Sequence, residues 1–245
     1  MPQQASKETL TEVAIQRLTT DIVEGVLLPE QKLLIAELKQ GYGMGASPLR
    51  EALARLSSQG FVTFDRRRGF RVAPVSRADL EDITLTRQIL ETAALRRAMA
   101  LGGDDWEVGV VAAYTRLELV VGRHADGGGN AAELEATHKQ FHTALIAGCG
   151  SQRLTDLHSN YYDQASRYRQ VMLERTHALN DFLTSHKQLA TAVLSRKADD
   201  ACAMLSEHIA ITQRMVFPDQ KPISTKARAS ATAAKKSRTQ TAAAR

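Results

Sequence analysis

The sequence predicts a mainly α protein, with three short helices and a β-hairpin at its N-terminus and a larger all-α bundle behind them. Three observations carry this expectation. Apolar residues recur at helical spacing over most of the chain. Only one short stretch, around Arg66-Arg67-Arg68, alternates apolar and polar residues as strands do. Aromatic residues make up only 5% of the 245 positions while Ala and Leu recur, a mix that suits helix packing better than a sandwich or barrel. Hydrophobic residues, at 43%, supply a buried core and exclude global disorder.

The first helix is read over 7–25, where Leu10, Val13, Ala14, Leu18, Ile22 and Val23 keep one apolar face. Gly25 to Pro29 breaks it, and a short second helix over 33–40 stops at Gly41 and Gly43. Ser47-Pro48 opens a third helix, with Ser47 as N-cap and Pro48 at the first helical position, where its missing N–H costs nothing. Leu49, Ala52, Leu53 and Leu56 form its inward stripe, and Gly60 ends it. Phe61–Asp65 and Gly69–Ala73 then form the hairpin. Three helices followed by a hairpin is the order of a winged helix-turn-helix, assigned to residues 1–73.

Pro74 marks a linker over 74–79, within which Ser76 and Asp79 have capping-box spacing. Glycine and polar breaks then divide an all-α helical bundle, residues 80–217, into helices expected at 78–101, 104–122, 131–147, 151–176, 181–196 and 199–216. The tail over 218–245 has no apolar stripe and is expected to be disordered. Its seven Lys and Arg against Asp219 exceed the whole formal charge of +5, so the high pI is a property of the tail. That tail reads as a solvated extension or as an arm grazing DNA.

No run of 18 apolar residues occurs, and the opening MPQQASKETL lacks the apolar core of a secretory signal, so no membrane partner and a cytoplasmic location are expected. Cys149 and Cys202 are too few for a disulfide framework and wrongly spaced for a Cys-based zinc site; both read as small buried hydrophobes.

On the third helix, Arg50, Glu51, Ala54 and Arg55 face away from the Leu stripe. Arg reads guanine edges through two parallel hydrogen bonds, and the free N–H groups at a helix start hold a phosphate, so Ser47, Pro48, Arg50 and Arg55 are placed on double-stranded DNA. The tip Arg66-Arg67-Arg68 is either a solvated turn or a contact to phosphates and the minor groove. Directly behind a helix-turn-helix pattern, DNA contact is the reading adopted.

The segment from Ser47-Pro48-Leu49-Arg50-Glu51-Ala52-Leu53 through Gly60-Phe61-Val62 and Arg68-Gly69-Phe70-Arg71-Val72 resembles the GntR family of bacterial regulators. The resemblance implies DNA contacts from Ser47 and Arg50 and a close backbone approach at Gly69. Glu30 stands where that family usually has Gly, and the turn between helices two and three is one residue longer.

In the bundle, four of seven histidines fall on apolar faces: His138 and His142 one turn apart, His186 beside Phe182 and Leu189, and His208 beside Leu205 and Ile209. Singly, each reads as a hydrogen-bonded core side chain. Together, on three successive helices, they can converge on one divalent metal, with zinc or nickel favoured by nitrogen donors. From about Leu80 the chain resembles the FCD-type effector domain of the FadR branch, whose acidic-x-x-Phe-His motif and two later histidines bind a metal; His138 replaces the usual Asp. The same resemblance implies a small carboxylate effector held by arginines. Arg87 is then a clamp or an intrahelical partner of Glu91, and Tyr161, Arg167 and Arg169 are further cavity candidates, although Arg167 and Arg169 project from opposite sides of a helix. The region 138–169 looks closest to CsiR-like regulators of glutarate and 2-hydroxyglutarate use.

The function expected is a homodimeric repressor whose two heads read a palindrome and which a dicarboxylate or hydroxy acid releases. Two alternatives stand beside it. One is a metal-dependent enzyme, which lacks a phosphate loop or nucleophile elbow here; the other is a metalloregulator for which the ion is itself the signal.

Overall fold

A computed structural model describes residues 9–125, 127–173 and 179–218. The first domain holds α1 (Leu10–Val23), α2 (Ile35–Tyr42), α3 (Ala46–Ser58), β1 (Val62–Asp65) and β2 (Gly69–Val72). Thr9 starts α1 with a complete capping box: its hydroxyl accepts the Glu12 N–H at 3.2 Å, and the Glu12 carboxylate accepts the Thr9 N–H at 2.8 Å. Ala14, Leu18 and Ile22 of α1 pack on Leu49, Ala52, Leu53 and Leu56 of α3, with Leu38, Phe61, Val62 and Val72 closing the core. Each such leucine contributes roughly 1.5–3 kcal/mol by leaving water.

The start of α3 lies upstream of the expected position. Gly45 is the N-cap, Ala46 the first helical residue, and Ser47 and Pro48 the second and third. The whole first turn lacks intrahelical acceptors for its N–H groups, so proline is tolerated anywhere within it and marks the turn without marking its first residue. Gly43, at φ 66°, ends α2 in the left-handed conformation that permits the tight bend between the two helices.

The wing pairs β1 and β2 antiparallel with Asp65 opposite Gly69. Asp65 Oδ1 accepts the N–H groups of Arg67 and Arg68 at 2.7 and 2.8 Å, bending the tip. A third, unexpected strip lies along β2: Glu30 N–H donates to Val72 O, Val72 N–H to Gln31 O and Leu33 N–H to Phe70 O. It anchors the wing to the α1–α2 connection, and it holds Glu30 at φ 64°, the conformation for which a glycine is the natural occupant.

Residues 73–76 connect the domains, and Ser76 caps α4 (Arg77–Leu101). The bundle continues through α5 (Asp104–Ala125), α6 (Ala131–Ile146), a 3-10 turn, α7 (Gln152–Leu173), α8 (Leu179–Leu194) and α9 (Ala198–Val216). Its core is built on Leu95, Leu117, Phe141, Leu145, Val193 and Leu205, and both cysteines are buried thiols. Arg196 locks one end: it donates to the carbonyls of Met99 and Gly102, pairs with Glu107 and lies over the Trp106 ring. The expected basic tail, apart from Pro218, and the end of the expected helix over 151–176 lie outside the described residues. Among the described residues, no helix is long and apolar enough to cross a membrane.

The two domains meet on α7. Gln164 Nε2 donates to Gln59 O at 2.9 Å, and Arg167 donates to the carbonyls of Ala73 and Pro74. Gly60, at φ 83°, passes so close that an added Cβ would lie 3.1 Å from Gln164.

Candidate nucleic-acid interface and histidine centre

α3 presents an exposed Ser47 and Arg50 above its buried leucine stripe. No side chain caps its N-terminus, which leaves the first-turn N–H groups free for an external anion. Arg50 makes no side-chain hydrogen bond or ion pair among the described residues, nor do Arg66 and Arg67, so these guanidiniums are available. Arg55 is held instead: it pairs with Glu51 at 2.9 Å, and Glu51 in turn accepts from Thr11. Arg68 is exposed at the tip, and Gly69, at φ 74°, turns the chain back into β2.

In the bundle, α6 supplies His138 and His142, α8 His186 and α9 His208. One ring nitrogen from each falls within 4.8 Å of all the others, and the Nε2 atoms of His138 and His142 stand 3.0 Å apart. Burial is the main force pushing all four below the usual histidine pKa, to about 3 for His208, so the rings are neutral near pH 7 and each carries a lone pair. His186 Nδ1 lies 2.6 Å from the Phe182 carbonyl, which can only accept, so its proton sits there and Nε2 keeps the lone pair. That Nε2, together with Nδ1 of His142 and of His208, is buried without a hydrogen-bond partner among the described residues. Orphaned buried nitrogens are costly unless something accepts them, and four convergent neutral imidazoles are a donor set that fits a divalent ion.

Carboxylates and arginines surround the rings. Glu135 Oε2 stands 3.9 Å from His138 Nδ1, and Glu91 Oε2 3.9 Å from His142 Nδ1. Glu91 also pairs with Arg87 Nε at 2.6 Å and faces His158 Nδ1 at 3.3 Å, while Glu135 pairs with Arg169. Burial alone would raise both carboxyls; the arginine and histidine beside each outweigh it and hold them well below the ordinary range. The Tyr162 ring carries both guanidiniums, Arg169 at 4.6 Å and Arg87 at 5.0 Å from its centre, and its buried hydroxyl has no partner among the described residues.

Residues 10–72 match the gntR family of bacterial regulatory proteins, and residues 82–211 match the FCD domain. The chain is a GntR-family transcriptional regulator of the FCD branch. Over 196 residues this regulator is 36% identical to the HTH-type transcriptional repressor GlaR of Escherichia coli K12, a match spanning 78% of this chain and 89% of that one. It is 34% identical over 206 residues to the regulator BphR of Paraburkholderia xenovorans, covering 84% of each. Among solved structures, E. coli McbR/YncC superposes with a TM-score of 0.75 at 18% identity, over 86% of this chain and 99% of that one, which shows a shared fold.

Of the GntR regulator's expected effector residues, the structure brings Arg87 and Arg169 to the histidines. Arg87 is buried as the intrahelical partner of Glu91 and faces the centre as well. Arg167 and Tyr161 are not brought there. Arg167 projects from the other side of α7 and spends its guanidinium on the linker carbonyls, and half-buried Tyr161 makes no ring contact with the cluster. Its neighbour Tyr162 takes that place, with ring centres 5.7 Å from both His138 and His142. Sequence reasoning also missed Glu135, His158 and any role for Glu91 beyond pairing with Arg87; His158 is a further buried histidine with no exposed surface. A signal existed for two of them: Glu135 lies three residues before His138, and His158 lies one turn before Tyr162 on one face of α7.

Proposed function

We propose that this regulator is a repressor that reads a palindromic operator as a homodimer and leaves it when a small carboxylate binds beside a metal in the helical domain. The observation that carries the reading is the convergence of four neutral imidazoles within 4.8 Å, three of them buried and His208 half-buried, flanked by the guanidiniums of Arg87 and Arg169. His138, His142, His186 and His208 would hold the ion, and the all-nitrogen set favours zinc or nickel over harder cations. A bound ion would supply a Lewis-acidic site for one carboxylate oxygen. Arg87 and Arg169 would orient the anion, and Tyr162 would offer it a hydrogen bond from a hydroxyl that has no partner among the described residues. A dicarboxylate or hydroxy acid, glutarate and 2-hydroxyglutarate among them, has the two polar ends that this arrangement can engage.

On DNA, Arg50 would read base edges, Ser47 and the open start of α3 would hold a phosphate, and Arg66, Arg67, Arg68 and the Gly69 backbone would follow the adjacent groove. The ligand acts by its differential affinity for the DNA-competent and DNA-incompetent states, and α7, which carries both Arg169 and the contacts to the first domain, lies between them.

The test is a gel shift of zinc-loaded protein on DNA from upstream of its own gene, titrated with glutarate, 2-hydroxyglutarate, a neutral sugar and a chelator. Release by the acids and not by the sugar is expected. Release by the chelator alone would convert the reading to a metalloregulator, and absence of any shift would overturn it.

A further inference from the structure

The charge of this regulator is divided unevenly. Residues 219–245 hold seven Lys and Arg against the single carboxylate of Asp219, and that net six exceeds the formal +5 of the whole chain, which leaves residues 1–218 at about −1. The net attraction of the chain to a polyanion therefore resides in the tail. A segment that need only stay in water can carry either sign, yet no acidic residue follows Asp219. Ile223 is its one large apolar residue and it has no aromatic, so it has little to bury at the acyl boundary of a membrane.

The structure fixes where that charge leaves the folded body. Val216, the last residue of α9, and half-buried Phe217 pack on Leu80, Ile83, Ala165 and Tyr168. Arg77, the first residue of α4, lies 4.8 Å from the centre of the Phe217 ring and donates to its carbonyl at 3.1 Å. One residue earlier, the Ser76 N–H donates to the Tyr168 hydroxyl of the same cluster. The tail thus departs beside the link to the first domain. The eighteen residues from Pro218 to Lys235 span roughly 27 Å as a helix and roughly 60 Å extended, against about 28 Å for the diameter of a domain the size of residues 9–72. In either form Lys235, Lys236 and Arg238 have the reach to pass the head and meet the duplex that it reads. The folded body offers little to hold them back at this end of α4. Asp79 accepts from Tyr168 and Glu81 lies 3.9 Å from Arg77, which leaves Asp82 without an ion pair among the described residues.

We infer that residues 219–245 are a second DNA-binding element, a cationic arm anchored at the domain junction that holds phosphates flanking the operator and adds affinity without reading sequence. This role rests on the first domain's being the DNA-reading head.

Fluorescence anisotropy at several salt concentrations tests it, with the full chain and a chain ending at Pro218 on the protein's own upstream DNA and on a scrambled duplex. Far-UV circular dichroism checks that the shortened chain folds. Its loss of the arm should weaken both duplexes alike, by about tenfold or more, and flatten the slope of log affinity against log salt by about four to six. Lys235→Gln, Lys236→Gln and Arg238→Gln together should flatten it by about three, and a full-length chain with the same tail residues in shuffled order should bind as wild type. Unchanged affinity and slope after truncation overturns the inference, as does a loss confined to the operator. Tighter binding by the shortened chain also overturns it, since the arm would then lie on the protein's own carboxylates. Binding of the full chain, but not the shortened one, to phosphatidylserine vesicles with equal DNA affinity would move the arm to a membrane. A full chain that does not prefer its own upstream DNA sinks the operator reading, while the arm's contribution is still read on both duplexes.

Discussion

Tyr168 closes the cap of α4 on Asp79. Its hydroxyl donates to Asp79 Oδ2 at 2.5 Å and accepts the Ser76 N–H at 3.1 Å, so a side chain from α7 enters the place that a capping-box carboxylate would fill. Burial and Asp79 together push the phenol far above its ordinary pKa, so it remains a donor at every working pH. Tyr168→Phe keeps the ring and removes both bonds. The expected cost is about 1–2 kcal/mol, read as a lower urea midpoint with an unchanged slope. An unchanged midpoint would show that water replaces the hydroxyl without loss.

Arg50→Ala should weaken specific operator binding while leaving the fold intact, because the side chain is exposed and unpaired among the described residues. Loss of one bidentate base contact is worth about 1–3 kcal/mol, roughly ten- to a hundredfold in affinity. Arg55→Ala should do less, since Glu51 already holds that guanidinium. Fluorescence anisotropy with operator and scrambled duplexes separates the two. A variant at position 50 that binds operator as wild type does would remove α3 from the recognition surface.

Glu30→Gly should stabilise the first domain. Glu30 sits at φ 64°, where a Cβ costs roughly 1–2 kcal/mol, and part of that gain returns as the greater unfolded-state freedom of glycine. A net gain of up to ~1 kcal/mol is expected, visible as a rise in the thermal midpoint with operator affinity unchanged. A fall would mean that the Glu30 side chain makes a contact outweighing its backbone strain.

Local periodicity carried most of the fold. The Leu49-Ala52-Leu53-Leu56 stripe, the Ser76 cap and most of the glycine breaks fix elements whose causes lie within a few residues, and those appear where the spacing placed them; Gly41 does not break α2, which runs through it to Tyr42 and ends at Gly43. The histidines were legible for the same reason, since each stands on an apolar face. What periodicity could not resolve is which of two buried positions on one helix faces a centre built by other helices. Arg167 and Arg169 both leave solvent, and only the packing of α7 between the first domain and α6 decides that one meets Ala73 and the other Glu135. Tyr161 and Tyr162 were confused for the same reason. Glu91 was legible as the partner of Arg87, but not as a neighbour of His142 and His158, which lie on other helices.

Metal loading should stabilise the helical domain. An ion that binds only the folded chain adds about 2.7 kcal/mol when its concentration is a hundred times its dissociation constant. Zinc should therefore raise the unfolding temperature of wild type, and His186→Ala should cancel most of the rise, because it removes the ring whose free Nε2 is already set by the Phe182 carbonyl. Equal shifts in both proteins would place the ion elsewhere.

Glu91 offers a test that separates support of the histidines from simple packing. Its carboxylate lies between Arg87 and two histidines with almost no exposed surface, so Glu91→Gln leaves a buried guanidinium without its counter-charge, a loss of about 3–5 kcal/mol. Replacing Arg87 and Glu91 together by methionine removes both charges at similar volume and should recover most of that stability. If Glu91 also orients the His142 ring through Nδ1, 3.9 Å away, the double variant will fold yet bind zinc about ten- to a hundredfold more weakly in competition with a chelator. Recovery of stability and of zinc affinity together would confine Glu91 to neutralising Arg87.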